Sequence, residues 1–487
     1  MAAPLLAAIF KSAIIARYLG PPRMGLYSFA MWAAGALSLV ASLGLPSAVT
    51  KYVSEYLGRG DRAQAARISR HLLRLQWIVV LTVAPAAGLA AFFLAEGPEK
   101  LVLVLTASLA VPLVATEVLG SVLAGCQHYK QLSIISLKSS VADVGLIVLA
   151  VILKSGVAGI LVALTAGSSL AAWMSYRAAR PMLLAGQQGA APTDASPFRR
   201  ARSFAFTESY IVLLDGIIWQ RSEVAFLKAL STLRQVAFYG IGFGLARKFS
   251  DILATFTDTL MPLSSEAFGR SGLQDIGKIY ETSLKYVQIA LAPLCALGIG
   301  LSAPLIGLIY GPAYLPLVPV FRLLLASVAV TSLAYVGASV LYATEHQGFI
   351  AKCQTPIAVL NIALDLTLIP AHGAMGAAFA NAGAQVLEAV ILLAYAPRVV
   401  AGRFPWRAVA RIYAAVALAN LPVAIALWGG APPWSITGLA VVGLGIYVAI
   451  LVAWGELGKS ELKILSEALG RPLGLWLSGS MESSKVE

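Results

Sequence analysis

The residues best able to do chemistry are ionisable side chains set into otherwise apolar stretches. Arg247, Asp251, Thr255 and Asp258 recur at i, i+4, i+8 and i+11, which places them in one stripe along a helix at about 100° per residue. Lys248 flanks that stripe. In the preceding apolar segment Glu208, Asp215 and Ser222 fall on one face at seven-residue spacing, with Arg221 on another. Lys11, Arg17, Lys138 and Arg322 are further cations in apolar runs, and Glu117, Asp143, Glu223, Asp365 and Glu388 are further acids. A charge at the centre of a bilayer costs at least about 2.5–3.5 kcal/mol, so such groups normally face a cavity or a partner. The cations are candidates for holding an anion. Asp143, Asp215, Asp251 and Asp258 are candidates for binding H+ or Na+. The structural alternative stays open for each: Arg247 can pair with Asp251 one turn away, and long cationic side chains can reach out to the interface.

The rest of the chain is what makes those charges expensive. Of 487 residues, 59% are hydrophobic and 12% charged, with mean hydropathy +0.81. Soluble domains carry about 25% charged residues, so this composition cannot coat a water-facing shape. It is the composition of an integral membrane protein. Continuous apolar runs such as Leu101–Leu105 and Val441–Trp454 exclude a transmembrane β-barrel, whose strands alternate. No stretch is long and polar enough for a large soluble catalytic domain. Cys126, Cys295 and Cys353 are far apart and show no metal or disulfide spacing. His71, His128, His346 and His372 show no metal spacing either, so neither a metal nor a cofactor is expected.

Apolar segments fall near 2–19, 25–49, 76–95, 101–125, 131–153, 157–176, 204–229, 236–262, 286–309, 315–343, 350–370, 374–396, 409–428 and 433–454. Each is close to the roughly 20 residues a spanning helix needs. Met1–Gly20 lacks a charged n-region and a small-residue cleavage site, so it reads as the first span, beginning almost at Met1. Fourteen spans put both termini on one side. Alternate loops collect the basic residues: Lys51 to Arg74, then Arg177 to Arg202, then Arg270 to Lys285, then Arg398 to Arg411 and the tail. The opposite loops hold only Arg23, Lys100, Lys154, Lys228 and Arg234. The positive-inside rule then places both termini in the cytoplasm. Residues 455–487 read as an amphipathic segment with Leu462, Leu465, Leu469 and Leu473, lying on the membrane.

The longest polar break, 179–202, contains Gly189, Pro192, Pro197 and the run Arg199-Arg200-Ala201-Arg202. It reads as a linker between halves 1–178 and 203–397, followed by helices in 398–455 and a tail in 456–487. The halves resemble one another. Gly25-Leu26-Tyr27 leads through a span to Glu55-Tyr56-Leu57-Gly58-Arg59, and Ala237-Phe238-Tyr239 leads similarly to Glu266-Ala267-Phe268-Gly269-Arg270. Six intervening spans make the repeat parallel, the kind that places a substrate site between two bundles. The stripe of 247–258 has no charged counterpart at Gly35, Leu39 and Pro46, so the ionic machinery is expected in the second half.

Ala16-Arg17-Tyr18-Leu19-Gly20, Ser42-Leu43-Gly44-Leu45-Pro46-Ser47-Ala48 and Tyr52-Val53-Ser54-Glu55-Tyr56 resemble the opening of Wzx-type polysaccharide flippases. So do Ile309-Tyr310-Gly311-Pro312-Ala313-Tyr314, Phe321-Arg322-Leu323-Leu324, Leu360-Asn361-Ile362-Ala363-Leu364 and Gly373-Ala374-Met375-Gly376-Ala377-Ala378. No one segment is diagnostic; together, in order along most of the chain, they are fairly specific. The resemblance implies an all-α polytopic fold of about 14 transmembrane helices. Two six-helix lobes would surround a central cleft, with two extra C-terminal helices. It also implies a non-enzymatic transporter of the cell membrane that moves a polyprenyl-linked oligosaccharide. Membrane lipids and glycan polymerases or transferases would be its partners, and nucleic acid would not. Phosphate on such a lipid suits arginine forks, which makes Arg17, Arg247, Lys248, Arg322, Lys11, Lys138 and Arg221 the candidate substrate-binding residues. A drug exporter of the MATE type, coupled to H+ or Na+, is the alternative. It would need an anionic cavity, and the in-span cations argue against one. A membrane enzyme would need a sizeable outer loop holding acids or metal ligands, and every outer loop here is short.

Overall fold

The computed structural model describes residues 2–457 apart from 43, 98, 186–195, 272 and 345. The expected amphipathic tail and the middle of the linker therefore lie outside the described residues. Among the described residues sixteen α-helices follow in order: α1 Ala2–Ser42, α2 Leu45–Gly58, α3 Arg62–Leu94, α4 Glu99–Gly125, α5 Tyr129–Ile152 and α6 Gly156–Leu184. Then come α7 Ser196–Ile218, α8 Glu223–Leu230, α9 Leu233–Ser271, α10 Leu273–Gly300 and α11 Ser302–Ile309. After a short 3-10 turn at Pro312–Leu317 the chain closes with α12 Val318–Ala343, α13 Gln347–His372, α14 Ala374–Val400, α15 Trp406–Trp428 and α16 Pro433–Ala453. There is no strand among the described residues.

Ten stretches of the described residues are long and apolar enough to cross a membrane. One of them, Ala7–Ser42, holds two of the expected spans. They meet at Gly20, whose backbone is non-helical at φ 69° and ψ 168° and is followed by Pro21 and Pro22. Two prolines remove consecutive amide donors and force the bend. The expected spans 7, 8 and 14 fall on α7 with α8, on α9 and on α16. Two local expectations change. Residues 51–74, read as one loop, are helical on both sides of a tight turn at 59–61, where Asp61 caps α3 by accepting from the Gln64 amide at 2.8 Å. The segment 204–229, read as continuous, breaks between Ile218 and Glu223.

The chain divides into two compact units. The first comprises Met1–Lys248, Leu305–Ser327 and Gln347–Glu388; the second comprises Phe249–Pro304, Val328–His346 and Ala389–Glu487. In the first, Leu45, Val49, Tyr52, Ile68, Leu72, Val118 and Val122 form a fully buried cluster among α2, α3 and α4. Lipid tails are as apolar as these side chains, so close packing and interhelical hydrogen bonds hold such helices together. Gly25 shows how close: a Cβ built there would lie 1.7 Å from the carbonyl oxygen of Leu233 at the start of α9. Gly25→Ala is therefore expected to push α1 from α9 and destabilise the fold by about 1–3 kcal/mol or more. A lowered thermal unfolding midpoint in detergent checks it, and an unchanged midpoint would show the two helices to be less tightly apposed.

In the second unit, buried Gln288 of α10 donates to Ser332 Oγ at 2.9 Å and accepts from the Tyr413 hydroxyl at 3.0 Å, tying α10, α12 and α15. Just beyond α16, Glu456 accepts from Lys285 and Arg411, both at 3.0 Å. Burial alone would raise its pKa, but the two cations outweigh burial and hold the carboxyl below its ordinary value. A depressed folded-state pKa adds stability at neutral pH that is lost as pH falls through it. The stability difference between wild type and Glu456→Gln is thus expected to be constant near pH 7 and to shrink below the ordinary carboxylate range. Unfolding midpoints across that range measure it.

Candidate functional site

The break between α7 and α8 organises the site. A helix interrupted inside an apolar region exposes backbone carbonyls that other groups must satisfy. Here Asn361 of α13 donates to Ile217 O at 3.2 Å, and Asn381 and Gln385 of α14 donate to Ile218 O at 3.2 and 3.1 Å. Arg247 of α9 donates to Trp219 O at 3.0 Å. The break leaves Arg221 in the gap and begins α8 at Glu223.

Arg221 lines a cavity of about 220 Å³ in the first unit, together with Lys11, Lys248, Tyr27, Ser28 and Tyr310. Three cations thus reach one space from α1, the α7–α8 break and α9. Arg221 makes no hydrogen bond or ion pair among the described residues. Lys11 Nζ pairs with Asp143 Oδ2 of α5 at 3.4 Å, so part of its charge is already answered. Met24, Met31, Ile241 and Leu245 supply an apolar wall. Such a space can hold a small anionic group and leave apolar surface for what is attached to it.

The other expected residues are distributed differently. Arg17 is exposed and donates to the carbonyl oxygens of Leu308 and Ile309 at the end of α11, a favourable place for a cation. Arg322 is half-buried on α12 and Lys138 is exposed on α5; neither lines the cavity. Arg247 stands next to Lys248 in sequence but is engaged with the α7–α8 break. Asp143 packs its Oδ1 against Gly167 of α6. Asp215 accepts from Gln354 at 2.9 Å. Asp251 is half-buried, and the side chains of Thr255 and Asp258 lie outside the described residues.

Behind the break is an acidic site that the helical stripes in α7 and α9 do not reveal. Glu223, fully buried, accepts from the Tyr239 hydroxyl at 2.7 Å, from Asn381 at 2.9 Å and from Asn361 at 3.2 Å. Asp365, also fully buried, has no hydrogen-bond partner among the described residues for either carboxylate oxygen, and neither has Asn361 Oδ1. A buried carboxylate without a donor is strongly unfavourable unless it carries a proton or a cation. The sequence signal was present: Gln354, Asn361 and Asp365 lie at i, i+7 and i+11, and Asn381, Gln385 and Glu388 at i, i+4 and i+7. Each set is a single polar stripe on an apolar helix.

With this geometry in place, the comparisons locate the chain. A family model described as polysaccharide biosynthesis protein matches residues 2–268, and one described as lipid II flippase MurJ matches residues 252–452. No curated protein matches the chain. Among solved structures, a lipid II flippase MurJ in an inward closed conformation aligns with TM-score 0.73 at 13% identity, covering 93% of this chain and 96% of its own. An inward-facing multidrug resistance MATE family transporter of the MOP superfamily aligns with TM-score 0.64 at 13% identity, covering 82% and 94%. A MOP superfamily transporter from Pyrococcus furiosus, described as having a binding pocket of reverse polarity, aligns with TM-score 0.53 at 14% identity, covering 82% and 98%. At these identities the structures establish the fold: a multi-pass, all-helical membrane protein. The sequence match across more than half its length makes this chain a member of the polysaccharide biosynthesis protein family.

Proposed function

We propose that this protein is a flippase. It carries a polyprenyl-phosphate- or diphosphate-linked oligosaccharide from the cytoplasmic to the outer leaflet by alternating access, for cell-surface glycan synthesis. The observation that carries this reading is the cavity lined by Lys11, Arg221 and Lys248. The head group of a lipid-linked sugar is joined to its tail through phosphate, and a guanidinium fork is matched to phosphate oxygens. Family membership supports the same substrate class. A drug exporter taking up organic cations would be opposed by three positive side chains in one small space. The protein sits in the cytoplasmic membrane with both termini inside, as the distribution of basic loops favours, and acts as a transporter without covalent chemistry.

Transport against a gradient needs a driving ion, and the Glu223–Asp365 pair is suited to bind one. Broken helices commonly present carbonyls and acids to coupling ions near such a substrate site. The charge pattern of the sequence points to Asp143 of α5, Asp215 of α7, and Asp251 and Asp258 of α9 for this role. The unsatisfied oxygens favour Glu223, Asp365 and Asn361 as the primary site.

Deleting the gene and extracting lipids from the cells tests the substrate. Full-length lipid-linked oligosaccharide is expected to accumulate in the cytoplasmic leaflet, as read by mass spectrometry with a membrane-impermeant glycan label. Normal amount and sidedness of every lipid-linked glycan would contradict the reading.

A further inference from the structure

A second pair of carboxylates, distinct from Glu223 and Asp365, also borders the α7–α8 break. Gln354 of α13 donates from a single atom, Nε2, to Asp215 Oδ1 of α7 at 2.9 Å and to Glu388 Oε1 of α14 at 3.0 Å. Two acceptors sharing one nitrogen at these distances lie within about 6 Å of each other. Glu388 is 1% exposed and takes its other donor from the Trp219 indole at 2.9 Å. Every hydrogen-bond donor to the pair among the described residues is therefore neutral. Gln354 is itself 3% exposed, and its Oε1 is buried with no hydrogen-bond partner among the described residues.

We propose that Asp215, Gln354 and Glu388 form a proton-binding site in which the two carboxyl groups hold one proton between them. Two like charges this close in a poorly hydrated setting cannot both be ionised cheaply. One proton removes the repulsion. The charged and titratable groups facing the pair are Glu208 on α7 and Arg247 on α9, which act on Asp215, and Cys353 on α13, which lies beside Glu388. Arg247 is held by the carbonyl of Trp219, the residue whose indole holds Glu388. Proton loading at Glu388 thereby reaches an arginine adjacent in sequence to the cavity-lining Lys248. The proposal builds on the ion-coupled reading above but does not need transport to be tested.

The test is infrared spectroscopy of the purified full chain in lipid, titrated from acid to alkaline pH in H2O and in D2O. The C=O stretch of a protonated carboxyl group is read directly. The wild type is expected to show a deuterium-sensitive band that Glu223→Gln retains and that Asp215→Asn with Glu388→Gln loses completely. The same band at full amplitude in that double variant would overturn the proposal. Should the double variant fail to fold, Gln354→Leu carries the test. Removing the shared donor to both anions is expected to move the band's midpoint to higher pH, and an unchanged or lowered midpoint would overturn the site. Failure of the flippase reading would appear instead in the lipid analysis and leave these spectra unaffected.

Discussion

Arg221→Ala is expected to reduce translocation of the lipid-linked oligosaccharide by roughly 10- to 150-fold while leaving the folded protein intact. The range follows from the about 1.5–3 kcal/mol contributed by a hydrogen bond to a charged group. Folding is spared because Arg221 makes no hydrogen bond or ion pair among the described residues, so truncation leaves no native partner behind. Its position is fixed by the chain instead: α7 ends at Ile218, α8 starts at Glu223, and the residues between must turn into the cavity. Arg221→Lys keeps the charge but loses the planar fork, so it is expected to fall between the two. Rates in proteoliposomes, normalised to inserted protein, measure all three. Wild-type rates in Arg221→Ala would remove this residue from the substrate site.

Glu223→Ala is expected to damage folding and ion response together. The substitution strips the acceptor from the Tyr239 hydroxyl, Asn361 and Asn381. A buried group left unsatisfied costs about 1–3 kcal/mol, and the Tyr239 hydroxyl has no other hydrogen-bond partner among the described residues. The two asparagines keep their bonds to the carbonyls of Ile217 and Ile218, which limits the loss to roughly 2–5 kcal/mol. Glu223→Gln keeps the shape and one acceptor, so it should fold. The ion response separates the roles. A ligand that binds only the native state raises its stability by mass action, so Na+ is expected to raise the wild-type unfolding midpoint. That rise should vanish in Glu223→Gln and in Asp365→Asn. Undiminished rises in both variants would place the coupling ion elsewhere.

Much of the architecture was legible in the sequence because the bilayer enforces it. Long apolar runs have few options besides helices, and the Gly20-Pro21-Pro22 bend falls in the gap between the first two expected spans. The cations were legible as a class, since charge in an apolar run is conspicuous. Which of them share a cavity was not. Lys11, Arg221 and Lys248 converge through tertiary packing of α1 and α9 against the α7–α8 break, whereas Arg17 is spent on the carbonyls ending α11. The break itself was hidden because residues 204–229 are apolar enough on average to read as one span. What interrupts it is the set of donors Asn361, Asn381 and Gln385 on distant helices, each taking a carbonyl that a continuous helix would have used. The acidic pair was missed for a related reason. The conspicuous charge stripes lie in α7 and α9, whereas the sparse polar stripes of α13 and α14 carry single carboxylates whose meaning appears only when Asp365 meets Glu223 and Glu388 meets Asp215.

The most direct test of the central claim is translocation by the purified protein alone. Proteoliposomes would be loaded with a fluorescent polyprenyl-diphosphate oligosaccharide in one leaflet, and its arrival in the other would be followed with a membrane-impermeant quencher or glycosidase. The account predicts transbilayer movement well above protein-free vesicles, accelerated by an imposed Na+ or H+ gradient and nearly lost in Arg221→Ala. Movement no faster than in empty vesicles under every gradient, from protein shown to be folded and inserted, would contradict it.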